Sequence, residues 1–451
     1  MAQRELYVFS HVDEDFVPAG RLRLTEQQGV VAASSFSYGL RYLDRPRRFE
    51  LDPVSLSLAD PAQVRGVELF PANGLAQFGG IRDAAPDAWG RRVIEAQRRV
   101  PANSLSEAEY LLGAGSDRVG ALDVRDRLDS PARFGAGDVR SLGYLLEASE
   151  RIERGEPIPA RLADVFGAGP SAGGARPKAS VRDAEGVLWL AKFPSQSDTF
   201  DVAAAECWTL QLASLCGMCV PALKLLDLGG RPVLLIRRFD RYWQDREPNA
   251  DLEPEPWDNL PGNGRSERRL PFVSGLTLVG CDEFESREKS YADLALAIRD
   301  FIESRRIRPD REELFARMIF NIFVSNDDDH LRNHGFIRDP RLAGWRLSPL
   351  YDVVPRPGVA HDRFLHLGVG RQGKLATLDN AMSASSAFMP QRADAVRILH
   401  RVWGEIRQWK THFEGWRAPG RLVDKLAPAF RSLDDICSPA LQAEIRRSGE
   451  G

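Results

Sequence analysis

The stretch SNDDDHLRNHGF, Ser325–Phe336, places three consecutive aspartates before a histidine, an arginine and an asparagine. Like charges at adjacent positions repel one another and cost free energy. A solvated loop tolerates such a run, and aspartates that cap a following turn explain it as well. A bound cation would offset the repulsion. The stretch therefore predicts either a capped turn or a site that holds a positively charged group.

The spacing within this stretch singles out one aspartate. Asp328 and Asn333 are separated by four residues, the Asp-x-x-x-x-Asn spacing of a protein-kinase catalytic loop. In that chemistry a carboxylate accepts the proton of the substrate hydroxyl, and a nearby amide oxygen holds magnesium. A second metal carboxylate should follow, and Asp352 in SPLYDVVP is suitably placed. No DFG motif is present, which excludes a eukaryotic-type protein kinase.

The histidines of the same stretch offer a competing interpretation. His330 and His334 are four residues apart, as zinc ligands on one helix face are. No HExxH motif is present, and Asn333-His334-Gly335 is typical of a loop. Zinc is therefore the weaker hypothesis.

A segment suited to phosphate lies upstream. GAGPSAGGARPKASV, Gly167–Val181, is rich in small residues, and Gly173 and Gly174 would let backbone N–H groups approach a phosphate. The P-loop pattern GxxxxGK(S/T) is missing, so a flexible linker explains the composition equally well.

A lysine follows this segment on a predicted strand. Lys192 lies near the end of VLWLAKF and shares a face with Leu188 and Leu190. An inward-facing lysine is costly unless it is paired, and Glu206 in the next predicted helix is the candidate carboxylate. A glycine-rich loop, a strand lysine and a helix glutamate follow in this order in protein kinases. A surface lysine with a buried stem is the alternative.

Composition limits the class of protein. Of 451 residues, 43% are hydrophobic and 28% are charged, and the net charge is −3. These values are typical of a soluble globular protein of two or three domains and give no overall basic field for nucleic acid. No transmembrane or signal segment is evident, so a cytoplasmic protein is expected. Cys216 and Cys219 end an apolar helical run without a second pair, which favours a structural role over a redox or zinc role.

Local patterns predict a β-rich N-terminal part. ELYVFS, GRLRL and SFSYGLRYL are predicted strands. DAAPDAWGRRVIEAQRR is predicted to be a helix, with Asp83 as its N-cap, Pro86 in its first turn and Asp87 favourable to its dipole. Another helix is predicted over Ser141–Glu153, before a boundary at RGEPIPA, Arg154–Ala160.

Helices are predicted to dominate the C-terminal part. LKLLDLGGRPVLLIRRFDR forms a predicted hairpin that turns at Gly229-Gly230. Asp245–Gly264 is acidic and rich in proline, which predicts an exposed loop. From about Ser290 the segments SYADLALAIRDFIES and REELFARMIFNIFVSN carry apolar residues at helical spacing.

These motifs together resemble the HipA family of bacterial Ser/Thr kinases, the toxins of type II toxin–antitoxin modules. The likeness covers nearly the whole chain through PDAWGRR, SAGGARPK, LAKFP, RRFDR, NDDDHLRNHGF and LSPLYDVVP. It implies an α+β, HipA-like kinase fold in which a β-rich N-terminal part and N-lobe precede a mainly α-helical C-lobe. The implied domains are an N-terminal domain over 1–155 and a catalytic domain over 156–451. Within the latter, the nucleotide-binding strands would occupy 156–240 and the helical lobe 270–445.

The resemblance also implies a role for each matching residue. Asp328 matches the family's catalytic base, and Asn333 and Asp352 match its magnesium ligands. Ser171 matches the loop serine whose autophosphorylation expels the loop and inactivates the kinase. The residues expected at ATP, including the adenine-binding hinge at 237–239, are Lys192, Lys178, Gly173, Gly174, Arg237, Phe239 and Glu206.

The implied activity is ATP- and Mg²⁺-dependent phosphorylation of a Ser/Thr hydroxyl. The family inhibits growth by phosphorylating translation-related proteins such as aminoacyl-tRNA synthetases. A HipB-like helix-turn-helix antitoxin would be the partner and would carry the contact with DNA; no membrane partner is expected. RLPFVSGLTLVG stands where well-known members have a PQED segment, and the 245–264 insert is unusual, so the target stays open. A pseudokinase that only binds nucleotide and a small-molecule kinase are the alternatives.

Overall fold

The computed structural model describes residues 2–159, 174–245, 255–262 and 264–449. These residues form two compact units. Unit 1 comprises Met1–Ser197, Ala222–Gly280 and Ile337–Pro340. Unit 2 comprises Asp198–Pro221, Cys281–Phe336 and Arg341–Gly451. Most strands lie in unit 1 and the longest helix lies in unit 2, so the expected α+β class is confirmed.

The N-terminal sheet of unit 1 has four antiparallel strands in the order β3-β2-β1-β4. They are β1 Ala2–Val12, β2 Asp15–Gln27, β3 Val30–Tyr38 and β4 Leu122–Arg125. Leu6 and Val8 of β1 are buried in the core beneath this sheet, because alternate side chains of a strand point to the same face. The predicted strands are confirmed, except that the last residues of SFSYGLRYL form the short helix Leu40–Leu43.

The predicted helix start at Asp83 is wrong. Asp83 ends one short helix, Gly79–Asp83, and Asp87 caps the next, Ala88–Arg98. Pro86 has no N–H to donate and disfavours helical geometry in the residue before it, so one continuous helix cannot form. Asp83 instead accepts hydrogen bonds from the Ser274 N–H and hydroxyl at 2.6 and 2.8 Å.

The remaining helices of unit 1 are short, apart from the predicted helix Leu142–Glu153, which is confirmed. The others are Pro61–Val64, Glu107–Gly113 and Gly275–Val279, with 3-10 turns at Ala72–Gly74, Val139–Ser141 and Pro256–Asp258. The turn at Pro256–Asp258 belongs to the described part of the 245–264 insert.

A second sheet of unit 1 has five strands in the order β5-β6-β7-β9-β8. They are β5 Gly137–Asp138, β6 Lys178–Arg182, β7 Leu188–Lys192, β8 Leu223–Asp227 and β9 Pro232–Arg237. The strands β5 and β6 are parallel and the other neighbours are antiparallel. Gly229 and Gly230 both have positive φ in the β8–β9 turn, which confirms the predicted hairpin.

A buried ion network follows β9. Asp240 lies between β9 and the hairpin of β10 Arg241–Asp245 and β11 Arg265–Arg269, and β12 Phe272–Ser274 comes next. The Asp240 carboxylate accepts the Gly120 N–H at 2.7 Å and pairs with Arg238 and Arg241 at 2.6 and 2.7 Å. Burial alone would raise the pKa of Asp240, but the two guanidinium groups hold it well below its usual value. The RRFDR motif is thus tied to the N-terminal part of unit 1.

Helices dominate unit 2, and one of them leads to the aspartate run. The helix Ser304–Val324 is buried along its C-terminal half and ends at Ser325. The others are Val202–Leu215, Tyr291–Phe301, Leu378–Ser383, Arg392–Ile406, Trp409–Gly415, Gly420–Leu426, Leu433–Ile436 and Pro439–Arg447. The strand β13, Gly335–Asp339, begins in unit 2, and β14 is Gly344–Leu347. Short 3-10 turns occur at Glu285–Glu288, Leu331–Asn333, Ser385–Ala387 and Ala427–Ala429.

Two properties of the described residues bear on earlier expectations. None of their helices combines the length and apolar character needed to cross a membrane. Cys216 caps the C-terminus of helix Val202–Leu215, and burial raises the pKa of its thiol to about 12. Such a thiol stays protonated near neutral pH, as a structural cysteine does.

Candidate active site

The aspartate run begins where the long helix of unit 2 stops. Ser325 adopts left-handed geometry with φ of 54°, which turns the chain out of the helix. Its hydroxyl donates to the Ala429 carbonyl at 2.6 Å, and the Asn326 N–H donates to the Asn321 carbonyl at 3.0 Å. The run therefore leaves the helix from a fixed position.

The first two aspartates face solvent. The side chains of Asp327 and Asp328 are 45% and 59% exposed. The Arg356 guanidinium pairs with both, at 2.9 Å from Asp327 and 3.2 Å from Asp328. Asp328, the predicted base, is thus accessible to a substrate group.

The third aspartate is buried in a polar network. Asp329 accepts hydrogen bonds from the Tyr291 hydroxyl and, at 2.7 Å, from Asn321 Nδ2, and His334 Nε2 lies 3.0 Å from its carboxylate. Burial alone would raise the pKa of Asp329, but His334 and the hydrogen bond from Tyr291 lower it. Burial and the Asp329 charge in turn raise the pKa of Tyr291 well above its usual value. Asp329 anchors the loop that carries Asp328.

Asn333 closes that loop. It ends the 3-10 turn Leu331–Asn333 and is buried. Its Nδ2 donates to the Asp328 carbonyl at 3.1 Å, and the His330 N–H donates to the same oxygen at 2.8 Å. Since the amide nitrogen is used as a donor, the amide oxygen is the atom that Asn333 can offer to a cation.

The segment that carries Asp352 is tied to the same loop at two points. Tyr351 donates its hydroxyl to the Arg332 carbonyl at 2.8 Å, and the Arg356 N–H donates to the Ser325 carbonyl at 3.2 Å. Asp352 lies between these ties with φ of 61°. A non-glycine residue in this region is uncommon and is found preferentially at functional sites.

The donor set fits magnesium better than zinc. Asn333 and Asp352 supply an amide oxygen and a carboxylate, the kind of ligand that magnesium takes alongside substrate phosphates. His334 Nε2 lies against Asp329. Within the described ranges, no group of three or more His, Cys, Asp or Glu side chains could hold a metal ion. A zinc site at His330 and His334 therefore has no third ligand of this kind there.

Unit 1 brings the two predicted phosphate-binding lysines together. Lys178 on β6 lies directly opposite Lys192 on β7, so their side chains project from the same face of the sheet. Ala179, Val181, Trp189 and Ala191 occupy the other face and pack in a hydrophobic core. Both lysines are buried, at 2% and 9% exposure. Two like charges opposite each other favour an anion nearby.

The glycine-rich segment is described from Gly174 onward. Gly173 and Ser171 lie outside the described residues. Gly174 has φ of +111°, and a Cβ there would lie 2.9 Å from Lys178 Nζ. Glycine at this position thus allows the main chain to lie against the lysine ammonium.

The expected adenine hinge uses part of its hydrogen-bonding capacity internally. The Arg237 N–H donates to the Ala222 carbonyl at 2.9 Å, and the Arg238 N–H donates to the Leu188 carbonyl at 3.0 Å. An adenine at this segment would have to use carbonyl oxygens or Phe239. Glu206 is buried in helix Val202–Leu215 of unit 2, whereas Lys192 belongs to unit 1, so their pairing stays a prediction.

Two residues of this region escaped sequence reasoning. Arg356 pairs with Asp328 although no spacing rule singles it out. Asp87 caps helix Ala88–Arg98 and pairs with Lys178 at 2.9 Å, whereas the sequence suggested only a favourable interaction with the helix dipole. Both contacts join segments that are distant in sequence, and no pattern within either segment indicates them.

Comparisons with known proteins identify the family to which the chain is similar. A family model for the HipA-like C-terminal domain matches residues 170–410. "Putative kinase Y4mE" of Sinorhizobium fredii (strain NBRC 101917 / NGR234) is 25% identical over 365 residues, which is 76% of this chain and 77% of that protein. "Putative kinase Y4dM" of the same strain is 26% identical over 233 residues, 47% of this chain and 48% of that protein.

One solved structure shares the fold over nearly the whole chain. It is the Shewanella oneidensis MR-1 toxin–antitoxin complex of HipA, HipB and operator DNA. The matched chain is 15% identical with a TM-score of 0.61, and the match covers 98% of this chain and 95% of that one.

Proposed function

Because the chain belongs to the family of HipA-like C-terminal domains, we propose that it is an ATP- and magnesium-dependent Ser/Thr protein kinase of the HipA toxin type. A kinase-type function agrees with the relatives that are named as kinases. The observation that carries the proposal is the closure of the catalytic loop. Asn333 Nδ2 donates to the Asp328 carbonyl at 3.1 Å while the Asp328 carboxylate remains exposed.

Asp328 is the proposed base. Its carboxylate would orient the substrate hydroxyl and accept its proton during phosphoryl transfer. In the structure it pairs with Arg356, but both groups are more than half exposed. An exposed ion pair contributes at most about 1 kcal/mol, so a substrate hydroxyl can displace the arginine.

Asn333 and Asp352 are the proposed magnesium ligands. Bound magnesium would neutralise charge on the ATP phosphates. Lys192 and Lys178 would contact the phosphates as point charges, with backbone N–H groups of the segment that includes Gly173 and Gly174. Most of the rate gain would come from positioning and from charge stabilisation, since phosphoryl transfer needs little covalent chemistry from the protein.

The proposed partners follow from the family. A HipB-like helix-turn-helix antitoxin would bind this chain, by analogy with the Shewanella complex of HipA, HipB and operator DNA. A net charge of −3 agrees with DNA contact through that partner rather than through this chain. The substrate would be a translation-related protein, and Ser171 would be the site of autophosphorylation.

Intact mass after incubation with Mg-ATP tests this proposal. We expect the wild-type protein to gain one phosphate, and Asp328→Asn and Ser171→Ala each to abolish the gain. Asp327→Asn is the matched control, because Asp327 is also exposed and also pairs with Arg356. It should gain phosphate as the wild-type protein does.

The other outcomes separate the alternatives. A phosphate gain that persists in Asp328→Asn would overturn Asp328 as the base. A gain that persists in Ser171→Ala but is lost in Asp328→Asn would show that another residue is phosphorylated. Nucleotide binding without phosphate transfer to the chain or to lysate proteins would indicate a pseudokinase. Transfer to a metabolite with no phosphoprotein would indicate a small-molecule kinase.

A further inference from the structure

The motif PDAWGRR has no part in the function proposed above, yet its aspartate contacts one of the phosphate-binding lysines. Asp87 Oδ1 accepts the Gly90 N–H at 2.6 Å and so caps helix Ala88–Arg98. Asp87 Oδ2 lies 2.9 Å from Lys178 Nζ. The side chains of Asp87 and Lys178 are 10% and 2% exposed. One buried carboxylate thus contacts both the helix start and the lysine.

The next part of the same motif holds the main chain around Lys178. Trp89 Nε1 donates to the Lys178 carbonyl at 2.9 Å, and the Trp89 N–H donates to the Gly174 carbonyl at 3.4 Å. The Trp89 side chain is fully buried in the core that includes Ala179 and Val181. The first turn of helix Ala88–Arg98 therefore fixes both Gly174 and Lys178, the start and the end of the described loop segment.

The charges explain why an aspartate is needed at this point. A buried ammonium is strongly disfavoured unless an anion lies beside it. Lys192 stands directly opposite Lys178 on the same face of the sheet and adds repulsion. The Asp87 carboxylate offsets both costs while no phosphate is bound.

We propose that Asp87 is a positioning residue of the nucleotide site and acts through Lys178; this inference rests on the proposed function. Asp87 holds the Lys178 ammonium in one orientation before nucleotide binds. A helix glutamate does the same for the strand lysine of protein kinases. Preorganised groups bind more tightly because less freedom is lost on binding. Helix Ala88–Arg98 thereby contributes to phosphate binding without contacting the nucleotide.

A double-mutant cycle tests this role. The variants are Asp87→Asn, Lys178→Met and the combination of the two, measured for the dissociation constant of magnesium with a non-hydrolysable ATP analogue. Asn keeps an oxygen for the helix cap but removes the charge. A hydrogen-bonded charge contact corresponds to about a tenfold change in affinity, so each single variant should bind about tenfold more weakly. The combination should bind no more weakly than Lys178→Met alone.

Asp60→Asn is the matched control. Asp60 also caps a helix of unit 1, Pro61–Val64, by accepting the Ala62 N–H at 3.1 Å. This variant should bind the analogue as the wild-type protein does. If Asp87→Asn does not fold, Asp87→Ser provides a second neutral cap, and the lysine-free background removes the buried charge that Asp87 offsets.

Each contrary result has a distinct meaning. If Asp87→Asn binds the ATP analogue with wild-type affinity, Asp87 serves only as a helix cap. Tighter binding would mean that Asp87 competes with phosphate for the lysine, which overturns the positioning role. If the fold losses in affinity of the two single variants multiply in the double variant, Asp87 does not act through Lys178. A wild-type protein that binds no nucleotide would overturn the proposed function itself.

Discussion

Asp327, Asp328 and Asp329 are identical in chemistry and adjacent in the chain, but only the third is withdrawn from solvent. The Asp329 carboxylate contacts Tyr291, Asn321 and His334. These contacts fix the loop, while the carboxylates of Asp327 and Asp328 stay accessible to solvent. The run therefore consists of one buried anchor and two exposed carboxylates, of which Asp328 is the proposed base.

Asp329→Ala should cost about 3 kcal/mol in the free energy of unfolding. The substitution leaves the buried Tyr291 hydroxyl without its acceptor and leaves Asn321 Nδ2 with only a 3.3 Å contact to that hydroxyl. An unsatisfied buried group costs about 1–3 kcal/mol. Urea denaturation measures this change. Asp327→Ala is the matched control and should change stability by no more than about 1 kcal/mol, since its ion pair is exposed. Equal losses in the two variants would contradict the anchoring role.

At the scale of elements, β1 packs a histidine among the arginines of the β10–β11 hairpin. The main-chain N–H of His11 donates to the Ala121 carbonyl at 2.7 Å. The imidazole packs edge-on against the Phe16 ring, with 5.1 Å between the ring centroids. Burial, followed by the charges of Arg269 and Arg241, lowers the pKa of His11 to about 3. The imidazole is therefore neutral in the folded protein over the whole physiological range.

This histidine should make the protein less stable in mild acid. Unfolded His11 has a pKa of about 6.5, so the unfolded state binds the proton first as the pH falls. The free energy of unfolding therefore decreases as the pH falls from about 6.5 towards 3, by at most about 1.4 kcal/mol per pH unit. In His11→Gln the difference in unfolding free energy between pH 7 and pH 5 should shrink by roughly 1 kcal/mol, allowing for partial exposure.

Urea denaturation at the two pH values measures that difference. His361→Gln is the control, because the His361 side chain is 82% exposed in unit 2. It should leave the pH dependence unchanged. If the pH dependence of the unfolding free energy is unchanged in His11→Gln, His11 is protonated as readily in the folded protein as in the unfolded chain.

At the scale of the whole molecule, the residues proposed for phosphate and those proposed for magnesium belong to different units. Lys178 and Lys192 belong to unit 1, whereas Asp328, Asn333 and Asp352 belong to unit 2. The lysines suit the phosphates, and the oxygen ligands suit magnesium. Nucleotide and metal should therefore stabilise the protein together more than either does alone.

Removing magnesium should remove most of this stabilisation. A ligand at about 100 times its Kd stabilises the folded state by about 2.7 kcal/mol. We expect Mg-ATP to raise the thermal midpoint by several degrees and EDTA to reverse most of the rise. Asp352→Asn should reduce the difference between ATP with and without magnesium. Asp362→Asn, at an aspartate with 73% exposure in the same unit, should retain it. A magnesium effect unchanged in Asp352→Asn would exclude this carboxylate as a ligand.

Much of the fold follows from the sequence because local periodicity reflects burial. Alternation predicted β2 and β3, the Gly229-Gly230 turn predicted the β8–β9 hairpin, and helical spacing predicted the helices Tyr291–Phe301 and Ser304–Val324. The helix start at Asp83 failed because the pattern hides the break at Pro86. The domain limits and the roles of the site residues stay predictions.

The sequence by itself determined the strand and helix pattern, the Asp328-x-x-x-x-Asn333 spacing and the likeness to a kinase family, because these depend on residues close together in the chain. Only the tertiary structure decided that Asp329 is the buried aspartate and that Lys178 lies opposite Lys192. It alone brought Asp87 to Lys178, 91 positions away in sequence. Contacts of that kind arise when distant segments pack together, and their free energy depends on burial and neighbouring charge that no local pattern encodes.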